Sequence, residues 1–163
     1  MDTYPQEVTS IDKEEKYQLV IKQILSIVED EEDLIANLAN ISAILKMNFG
    51  KYSWVGFYLW KKDELVLGPF QGKPACVRIQ KGKGVCGKAF QERRTLIVAD
   101  VSKFPDHVYC DTDSKSEIVV PIFVDGKIIG VLDIDSNEID TFDVIDQQHL
   151  ENLVQGLSNH LRI

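Results

Sequence analysis

The sequence predicts an α+β fold in which a mostly antiparallel six-stranded sheet is flanked by helices. Two stretches with apolar residues at helical spacing open the chain, and one such stretch closes it. Between them lie short runs of β-branched and aromatic residues, separated by brief polar turns. Strands joined by such turns pair antiparallel, and we expect the helices to cover one face of the sheet.

Two helices are predicted before residue 50. Asp12 is suited to cap the first helix, and apolar residues between Tyr17 and Val28 keep one face. The second helix ends at Asn48-Phe49-Gly50. Its predicted stripe is Leu34, Ile35, Leu38, Ile41, Ser42 and Leu45. Residues 1–12 are predicted to be a disordered tail, which leaves residues 13–163 as a single domain.

Six strands are predicted in the second part of the chain. Their expected ranges are 53–59, 64–67, 75–79, 96–99, 118–124 and 127–132. A short helix over 85–92 separates the third strand from the fourth. Asp125-Gly126 is a two-residue hairpin turn between the last two strands. A final helix begins near Asp143, with leucines on one face as far as Leu161.

Composition and charge exclude several classes of function. The chain has 163 residues, enough for one ordinary domain, and a formal net charge of -8. Such a surface repels phosphate backbones and anionic lipid, so nucleic acid and membranes are not expected partners. No apolar run approaches the ~18 residues of a membrane span, and the N-terminus lacks a secretory signal, so a cytoplasmic location is expected.

A glycine-rich segment at residues 82–87 matches the G-x-G-x-x-G pattern of dinucleotide-binding folds. The strand before it is short and contains Arg78, and the helix after it has about two turns, where a full crossover unit is needed. Ala89 stands where a phosphate-binding P-loop needs a hydroxyl group. We therefore favour a turn whose backbone passes close to a small ligand or another strand.

The three cysteines leave several interpretations open. Cys76, Cys86 and Cys110 are an odd number, which argues against a structural disulfide framework. With His107 they could form a Cys3His zinc site, but nine and then twenty-three residues separate them, without a zinc knuckle. Each could also be a small buried apolar residue. All three lie beside turn residues, where reactive groups are often found.

Three acidic residues form a second candidate cluster. Asp133 and Asp135 alternate along one strand, so their carboxylates share a face, and Glu117 begins the partner strand of the hairpin. A regular two-residue turn would place Glu117 opposite Ile134, on the other face. A three-residue loop or a bulge near Pro121 would bring Glu117 onto the face of the aspartates. A shared site requires one of these irregularities; a solvated strand end is the alternative.

Five segments together carry a resemblance to a known family. They are residues 54–58 (WVGFY), 68–76 (GPFQGKPAC), 82–87 (GKGVCG), 116–121 (SEIVVP) and 130–136 (GVLDIDS). The sequence resembles the free methionine-(R)-sulfoxide reductases, whose fold is the GAF domain. The similarity runs from about Leu34 to the C-terminal helix and includes all three cysteines.

The resemblance implies a role for each candidate residue. It implies that Cys110 attacks the sulfoxide sulfur, that Cys76 resolves the oxidised Cys110 as a disulfide, and that Cys86 is an auxiliary thiol. Glu117, Asp133 and Asp135 would hold the substrate and supply the proton, and Trp54 would bind the substrate by packing against its methyl group. It also implies recycling by thioredoxin and a homodimer. The thiol chemistry itself is expected to need no metal or organic cofactor.

The sequence also presents a difficulty for this chemistry. The acids Asp106, Asp111 and Asp113 flank Cys110 and disfavour its thiolate. One solution is an offsetting group, for which His107, Lys115, backbone N–H groups and the substrate ammonium are candidates. The alternative is that the thiol transfers its proton during the attack. Residues 101–116 are the expected mobile loop that carries Cys110. A non-catalytic GAF domain that senses a small molecule is the alternative function.

Overall fold

A six-stranded antiparallel sheet lies at the centre of the computed structural model, which describes residues 4–9 and 12–162. The helices are α1 (Lys13–Val28), α2 (Leu34–Asn48), α3 (Gly84–Glu92) and α4 (Val144–Leu157), with a 3-10 turn at Val101–Lys103. The strands are β1 (Trp54–Lys61), β2 (Glu64–Gln71), β3 (Arg78–Gln80), β4 (Leu96–Val98), β5 (Ser116–Val124) and β6 (Lys127–Ser136). They are arranged in the order β3-β2-β1-β6-β5-β4, and every neighbouring pair is antiparallel.

Side-chain caps fix the starts of the three long helices. The Asp12 carboxylate accepts the N–H of Glu14 at 2.8 Å, and Asp33 accepts that of Ala36 at 2.8 Å. Asp143 and Asp146 form a reciprocal capping box at the start of α4. The predicted cap at Asp12 and the predicted helix start near Asp143 are confirmed.

Helices cover both faces of the sheet, which corrects the expectation of a single covered face. Strand alternation in β1 sends Val55 and Phe57 into the core against α1, α2 and α4, and sends Trp54 and Tyr58 to the opposite face. Helix α3 packs on that second face. The apolar side chains of α3 that meet it are Val85, Cys86, Ala89 and Phe90. A helix of two turns has too few apolar residues for its sequence to predict which face of the sheet it covers.

Two further expectations from the sequence need correction. The third strand was expected at 75–79 but spans Arg78–Gln80, because residues 72–77 form the loop that carries Cys76. Ile35 was expected on the buried stripe of α2 but is exposed, since it lies at the edge of the face that buries Leu38 and Ile41.

The N-terminal segment was predicted to be disordered over residues 1–12. Residues 1–3 and 10–11 of that range lie outside the described residues. Within residues 4–9, Val8 packs against the core and donates its N–H to Asn48 Oδ1 at 2.7 Å. In the described part of the chain, no helix is both long and apolar enough to cross a bilayer.

The β5–β6 hairpin contains the irregularity that a shared acid site requires. Asp125 and Gly126 form a tight turn with positive φ angles of 50° and 75°, and pairing is regular as far as Phe123 and Ile128. The register then shifts, because Ile122 pairs with Gly130 and Ile129 is the extra residue. Beyond the bulge, each β5 residue pairs with the β6 residue one position later than in a regular hairpin. Glu117 therefore pairs with Asp135 instead of Ile134.

Gly130 lies directly after this bulge, where β6 approaches β1 closely. A Cβ atom built on Gly130 would overlap the Tyr58 carbonyl oxygen, a backbone atom that cannot move without breaking the β1–β6 pairing. We expect Gly130→Ala to lower the free energy of unfolding by about 1–3 kcal/mol, as overpacking does. Urea denaturation measures this, with Gly50→Ala as the control, since a Cβ at Gly50 meets no atom within 4 Å. Equal stability of the two variants would contradict this account of β6.

Candidate active site

A cavity on the second face of the sheet brings together the candidate residues from distant parts of the chain. It lies beneath the loops that precede β3 and β5 and encloses about 40 Å³. Cys110 and Trp54 line it, as do the three acids Glu117, Asp133 and Asp135. The other lining residues are Tyr58, Pro74, Ala75, Ile79, His107, Val108, Asp111 and Ser114.

The hairpin register sets the positions of the three acids. Glu117 pairs directly with Asp135, and Asp133 lies one pair further along the same face, opposite Val119. Glu117 is 5% exposed and Asp133 is 6% exposed. Ser114 Oγ donates a hydrogen bond of 3.2 Å to Asp135 Oδ1. Among the described residues, the buried Asp133 Oδ1 has no hydrogen-bond partner, so it is free to accept from a ligand.

Burial raises the pKa of all three carboxyl groups. Desolvation is the largest cause for Glu117, and the charges of Asp133 and Asp135 raise its pKa further. Desolvation also raises the pKa of Asp135, with Asp133 adding to it, and it raises the pKa of Asp133. Three close carboxyl groups cannot all ionise in such a site, so the cluster retains a proton near neutral pH.

The three cysteines occupy two different environments. Cys76 and Cys110 form a disulfide with a Cα–Cα distance of 5.3 Å, although they are 34 positions apart in the chain. Cys86 is a free thiol, buried in α3, and its Sγ donates to Glu117 Oε1 at 3.8 Å. Burial, followed by the charge of Asp133, raises the pKa of the Cys86 thiol. Cys86 therefore stays protonated, which makes it a poor nucleophile.

Aromatic side chains form one wall of the cavity and hold its loops. Trp54 stacks on Phe70 with a centroid distance of 5.2 Å, and its Nε1 donates to the Lys73 carbonyl oxygen at 3.0 Å. The Tyr58 hydroxyl donates to the Cys76 carbonyl oxygen at 2.9 Å. The loop that carries Cys76 is thus anchored to β1 at two points.

Lys73 joins that loop to the loop that carries Cys110. Its Nζ lies 2.5 Å from Asp113 Oδ2 and 3.7 Å from Asp111 Oδ1. The single positive charge of Lys73 offsets part of the negative charge of Asp111 and Asp113, which disfavours a thiolate at Cys110. His107, a candidate for the same task, is half-buried, and desolvation lowers its pKa, so it is mainly neutral at pH 7.

A larger groove of about 370 Å³ lies elsewhere, between the β5–β6 turn and the end of α4. Its lining includes Arg93, Arg94, Phe123 and Glu151 but none of the cysteines and none of the three clustered acids. Volume does not by itself indicate chemistry. The smaller cavity, with a sulfur atom beside a proton-holding cluster, is the candidate active site.

Comparisons with known proteins show the fold and the family of the chain. A family profile described as GAF domain matches residues 29–162. The chain is similar in structure to the free methionine-R-sulfoxide reductase from Neisseria meningitidis, whose X-ray structure is in complex with its substrate. The TM-score is 0.94 at 48% sequence identity, and the match covers 97% of this chain and 95% of that chain. The free methionine-R-sulfoxide reductase of Escherichia coli is 44% identical over 151 residues, 93% of this chain and 92% of that protein. The chain belongs to this reductase family of GAF-domain proteins.

A further relative carries the name of the domain alone. GAF domain-containing protein A of Dictyostelium discoideum is 51% identical over 154 residues, which cover 94% of this chain and 97% of that protein. The family and the GAF fold predicted from the sequence are therefore confirmed. The roles of the individual side chains remain predictions.

The glycine-rich segment follows the interpretation preferred from the sequence. Gly82 and Gly84 have φ angles of 81° and 61°, and a Cβ atom on Gly87 would overlap the Gln80 carbonyl oxygen. Residues 82–83 form a turn that leads into the first turn of α3 at Gly84, and the backbone at Gly87 packs against the end of β3. Its strand is three residues long and antiparallel, so the dinucleotide-binding arrangement is absent from this part of the described chain.

The Cys3His zinc alternative does not fit the arrangement of the cysteines. Cys76 and Cys110 are bonded to each other, and Cys86 faces Glu117 and Asp133 instead of His107. Cys86, Glu117 and Asp133 have potential ligand atoms within 4.8 Å of one another. The Cys86 thiol and Glu117 carboxyl in this group are already hydrogen-bonded to each other.

Sequence reasoning did not single out three residues that shape the cavity. Tyr58 lies four positions after Trp54 and so shares its face of β1, a signal that strand alternation could have given. Lys73 lies three positions before Cys76, but its pairing with the acids after Cys110 depends on how two loops pack. Ser114, which hydrogen-bonds Asp135, lies in the same second loop and carried no local signal.

Proposed function

We propose that this protein reduces free L-methionine (R)-sulfoxide to L-methionine with the Cys110 thiolate. The observation that supports this most strongly is a single cavity that contains Cys110, three acids with raised pKa values and Trp54. The reductase family to which the chain belongs points to the same reaction. The choice of the R epimer comes from the family.

The acid cluster accounts for recognition of a free amino acid. An ammonium group offers N–H donors and a positive charge, which suit the unpartnered Asp133 Oδ1 and the charge of Asp135. The Trp54 ring supplies an apolar surface for the substrate methyl group. A methionine sulfoxide residue within a peptide chain has no free ammonium group and would lose this recognition.

The chemical step needs a nucleophile and an acid. The Cys110 thiolate attacks the sulfoxide sulfur while Glu117 donates a proton to its oxygen, since an unprotonated sulfoxide oxygen is a poor leaving group. Oxygen is transferred to Cys110 as a sulfenic acid, and the substrate sulfur is reduced to the thioether of methionine. Lys73 offsets one of the two negative charges of Asp111 and Asp113 and so makes the thiolate less unfavourable.

The second step forms the disulfide. The Cys76 thiol attacks the Cys110 sulfenic acid, the S–O bond breaks, and water leaves as the S–S bond forms. The disulfide-linked chain corresponds to this oxidised state of the cycle, and its cavity has room for a few water molecules. Reduction frees the loop at 104–115 from Cys76, which lets the cavity widen for the next substrate molecule.

Thioredoxin is the proposed reductant, since its dithiol can reopen such a disulfide. The reaction needs no metal or organic cofactor. We propose a cytoplasmic location, where thioredoxin keeps thiols reduced, and a homodimeric assembly, which sedimentation at micromolar concentration tests.

A small-molecule sensor of the GAF type is the second candidate. It would bind free methionine sulfoxide without consuming it. One assay distinguishes the sensor from the reductase. The reduced protein is incubated with the substrate and dithiothreitol, and the methionine formed is quantified. Many methionine molecules formed per chain support the reductase, whereas stoichiometric binding without methionine supports the sensor.

Acetylation of the substrate nitrogen tests recognition by the acid cluster. N-acetyl methionine sulfoxide lacks the ammonium charge, and losing a charge-assisted contact of ~2–3 kcal/mol corresponds to a roughly 30- to 150-fold lower kcat/KM. Steady-state kinetics with dithiothreitol measure both substrates. Methionine sulfoxide methyl ester, which keeps the ammonium group, is the control for the carboxylate end. Equal kcat/KM values for the free and acetylated substrates would show that the acid cluster does not bind the substrate ammonium group.

A further inference from the structure

Three buried side chains at the wall of the cavity have the composition of a metal site. The Sγ atom of Cys86, a carboxylate oxygen of Glu117 and a carboxylate oxygen of Asp133 lie within 4.8 Å of one another. They belong to α3, β5 and β6, so the packing of the helix on the hairpin brings them together. All three residues are buried, so a solvated acidic surface does not account for the group.

Hydrogen bonds within the protein leave this group incomplete. Cys86 Sγ donates to Glu117 Oε1 across 3.8 Å. Asp133 lines the cavity, and its buried Oδ1 atom has no hydrogen-bond partner in the described part of the chain. An unpartnered buried carboxylate oxygen costs free energy, and a ligand that carries positive charge would offset that cost.

The distances suit a tetrahedral zinc ion. Zn–S bonds of about 2.3 Å and Zn–O bonds of about 2.0 Å place neighbouring ligand atoms roughly 3.3–3.5 Å apart. The distance from Cys86 Sγ to Glu117 Oε1 is already close to this spacing. The cavity beside Glu117 and Asp133 has room for a water molecule as the fourth ligand.

The thiol determines which ion suits the group. Sulfur is a soft ligand that favours zinc and similar transition-metal ions, whereas Mg²⁺ and Ca²⁺ bind oxygen ligands. The Cys86 S–H bond breaks as the Zn–S bond forms, and its proton passes to solvent together with the proton that the carboxyl groups share. No atom changes its oxidation state.

We propose that Cys86, Glu117 and Asp133 bind a zinc ion that excludes the substrate from the cavity. The ion takes Asp133 Oδ1, the atom assigned above to the substrate ammonium group, and holds Glu117 as a carboxylate that has no proton to donate. Zinc is therefore an inhibitor of the reaction and not its cofactor. The exclusion of substrate rests on the proposed function, whereas the ion site rests on the three side chains alone.

Cobalt(II) is the probe for the ion site, because it adopts the coordination of zinc and gives a near-ultraviolet charge-transfer band when bound to a thiolate. In the disulfide-linked chain Cys86 is the free thiol, so the band reports on Cys86 alone. We expect one cobalt ion per chain, displaced by Zn²⁺ but not by Mg²⁺. Cys86→Ser should abolish the band. Asp133→Asn should weaken cobalt binding at least about tenfold, since even the hydrogen-bond partners of metal ligands contribute that much.

His107→Gln is the matched control, because His107 lines the same cavity but is not one of the three ligands, and this variant should keep the original cobalt affinity. No band in the unmodified chain, or a band that persists in Cys86→Ser, would overturn the proposal. If Cys86→Ser does not fold, Asp133→Asn decides the question, and unchanged cobalt affinity in that variant would overturn the proposal equally.

The double variant Cys76→Ser/Cys110→Ser tests the exclusion of substrate, because it cannot form the disulfide and keeps Cys86 as its one thiol. Calorimetry without metal first gives its Kd for free methionine sulfoxide. At about ten times that Kd, the sulfoxide should raise the apparent Kd for cobalt roughly tenfold. Glycine, which chelates cobalt in solution through the same amino and carboxylate groups, is the control.

A cobalt affinity that the sulfoxide lowers no more than glycine does would overturn the exclusion of substrate. Absence of sulfoxide binding to the double variant would count against the proposed function, while a cobalt band that depends on Cys86 would still support the ion site.

Discussion

Replacing Cys110 by serine is expected to lower kcat for reduction of free methionine sulfoxide by about a thousandfold or more, the scale found when a nucleophile is removed. A hydroxyl group is a far weaker nucleophile than a thiolate at neutral pH and cannot form the sulfenic acid. Cys110 is the cysteine that lines the cavity with the three acids, whereas Cys86 is buried and protonated. Methionine release with dithiothreitol as reductant measures the effect.

Cys76→Ser is the matched control for this variant, since it removes the same disulfide but leaves the proposed nucleophile in place. It should form methionine in a first turnover at close to the original rate and then slow. Full activity in Cys110→Ser, or loss of the first turnover in Cys76→Ser, would reverse the roles assigned to the two sulfurs.

Replacing Glu117 by glutamine is expected to reduce kcat by about 10²- to 10⁴-fold, the usual contribution of a general acid. An amide cannot give a proton to the sulfoxide oxygen, although it fits the same space. KM should change much less, because Asp133 and Asp135 remain to bind the ammonium group. Glu138→Gln, which changes an exposed acid paired with Lys51, is the control and should keep its activity. A change confined to KM would leave Glu117 as a binding group only.

The pH dependence of activity is a second test of the cluster of Glu117, Asp133 and Asp135. Because Glu117 has a raised pKa and acts in its protonated form, activity should fall as the pH rises through that pKa. The negative charge of Asp135 is one cause of the raised value, so Asp135→Asn should move this alkaline limb to lower pH. An alkaline limb that does not move would show that the charge of Asp135 does not influence the pKa of Glu117.

Stability should change in the opposite sense to activity in Glu117→Gln. The native state holds a proton on Glu117 at pH values above the pKa of an unfolded glutamate, so it binds more protons than the unfolded state. The free energy of unfolding therefore falls as the pH rises from about 4.3 through the raised pKa. Glutamine removes this cost, so urea denaturation should show the variant gaining stability relative to the original chain as the pH rises above about 4.3.

Local patterns were sufficient to predict most of the elements of this fold. Apolar spacing and the Asp caps predicted the long helices, and Asp125-Gly126 predicted the hairpin turn. They also showed that Glu117 could share a face with the aspartates only through an irregular register. They could not place the bulge at Ile129, because two adjacent isoleucines fit either register equally well.

The parts that sequence reasoning missed depend on contacts between distant segments. The side of the sheet that α3 covers depends on a four-residue apolar patch and the loops around it. The pairing of Lys73 with Asp111 and Asp113 forms only when two loops, about forty positions apart, pack together. Such contacts leave no periodic signal in one sequence.

The most direct test of the central claim is to identify which sulfur takes the oxygen. Reduced Cys76→Ser protein is mixed with one equivalent of free methionine (R)-sulfoxide, trapped with dimedone and analysed by peptide mass spectrometry. We predict one methionine formed per chain and one dimedone adduct, on Cys110. An adduct on Cys86, or methionine formed without any modified cysteine, would contradict the claim that Cys110 and the acid cluster act together in this cavity.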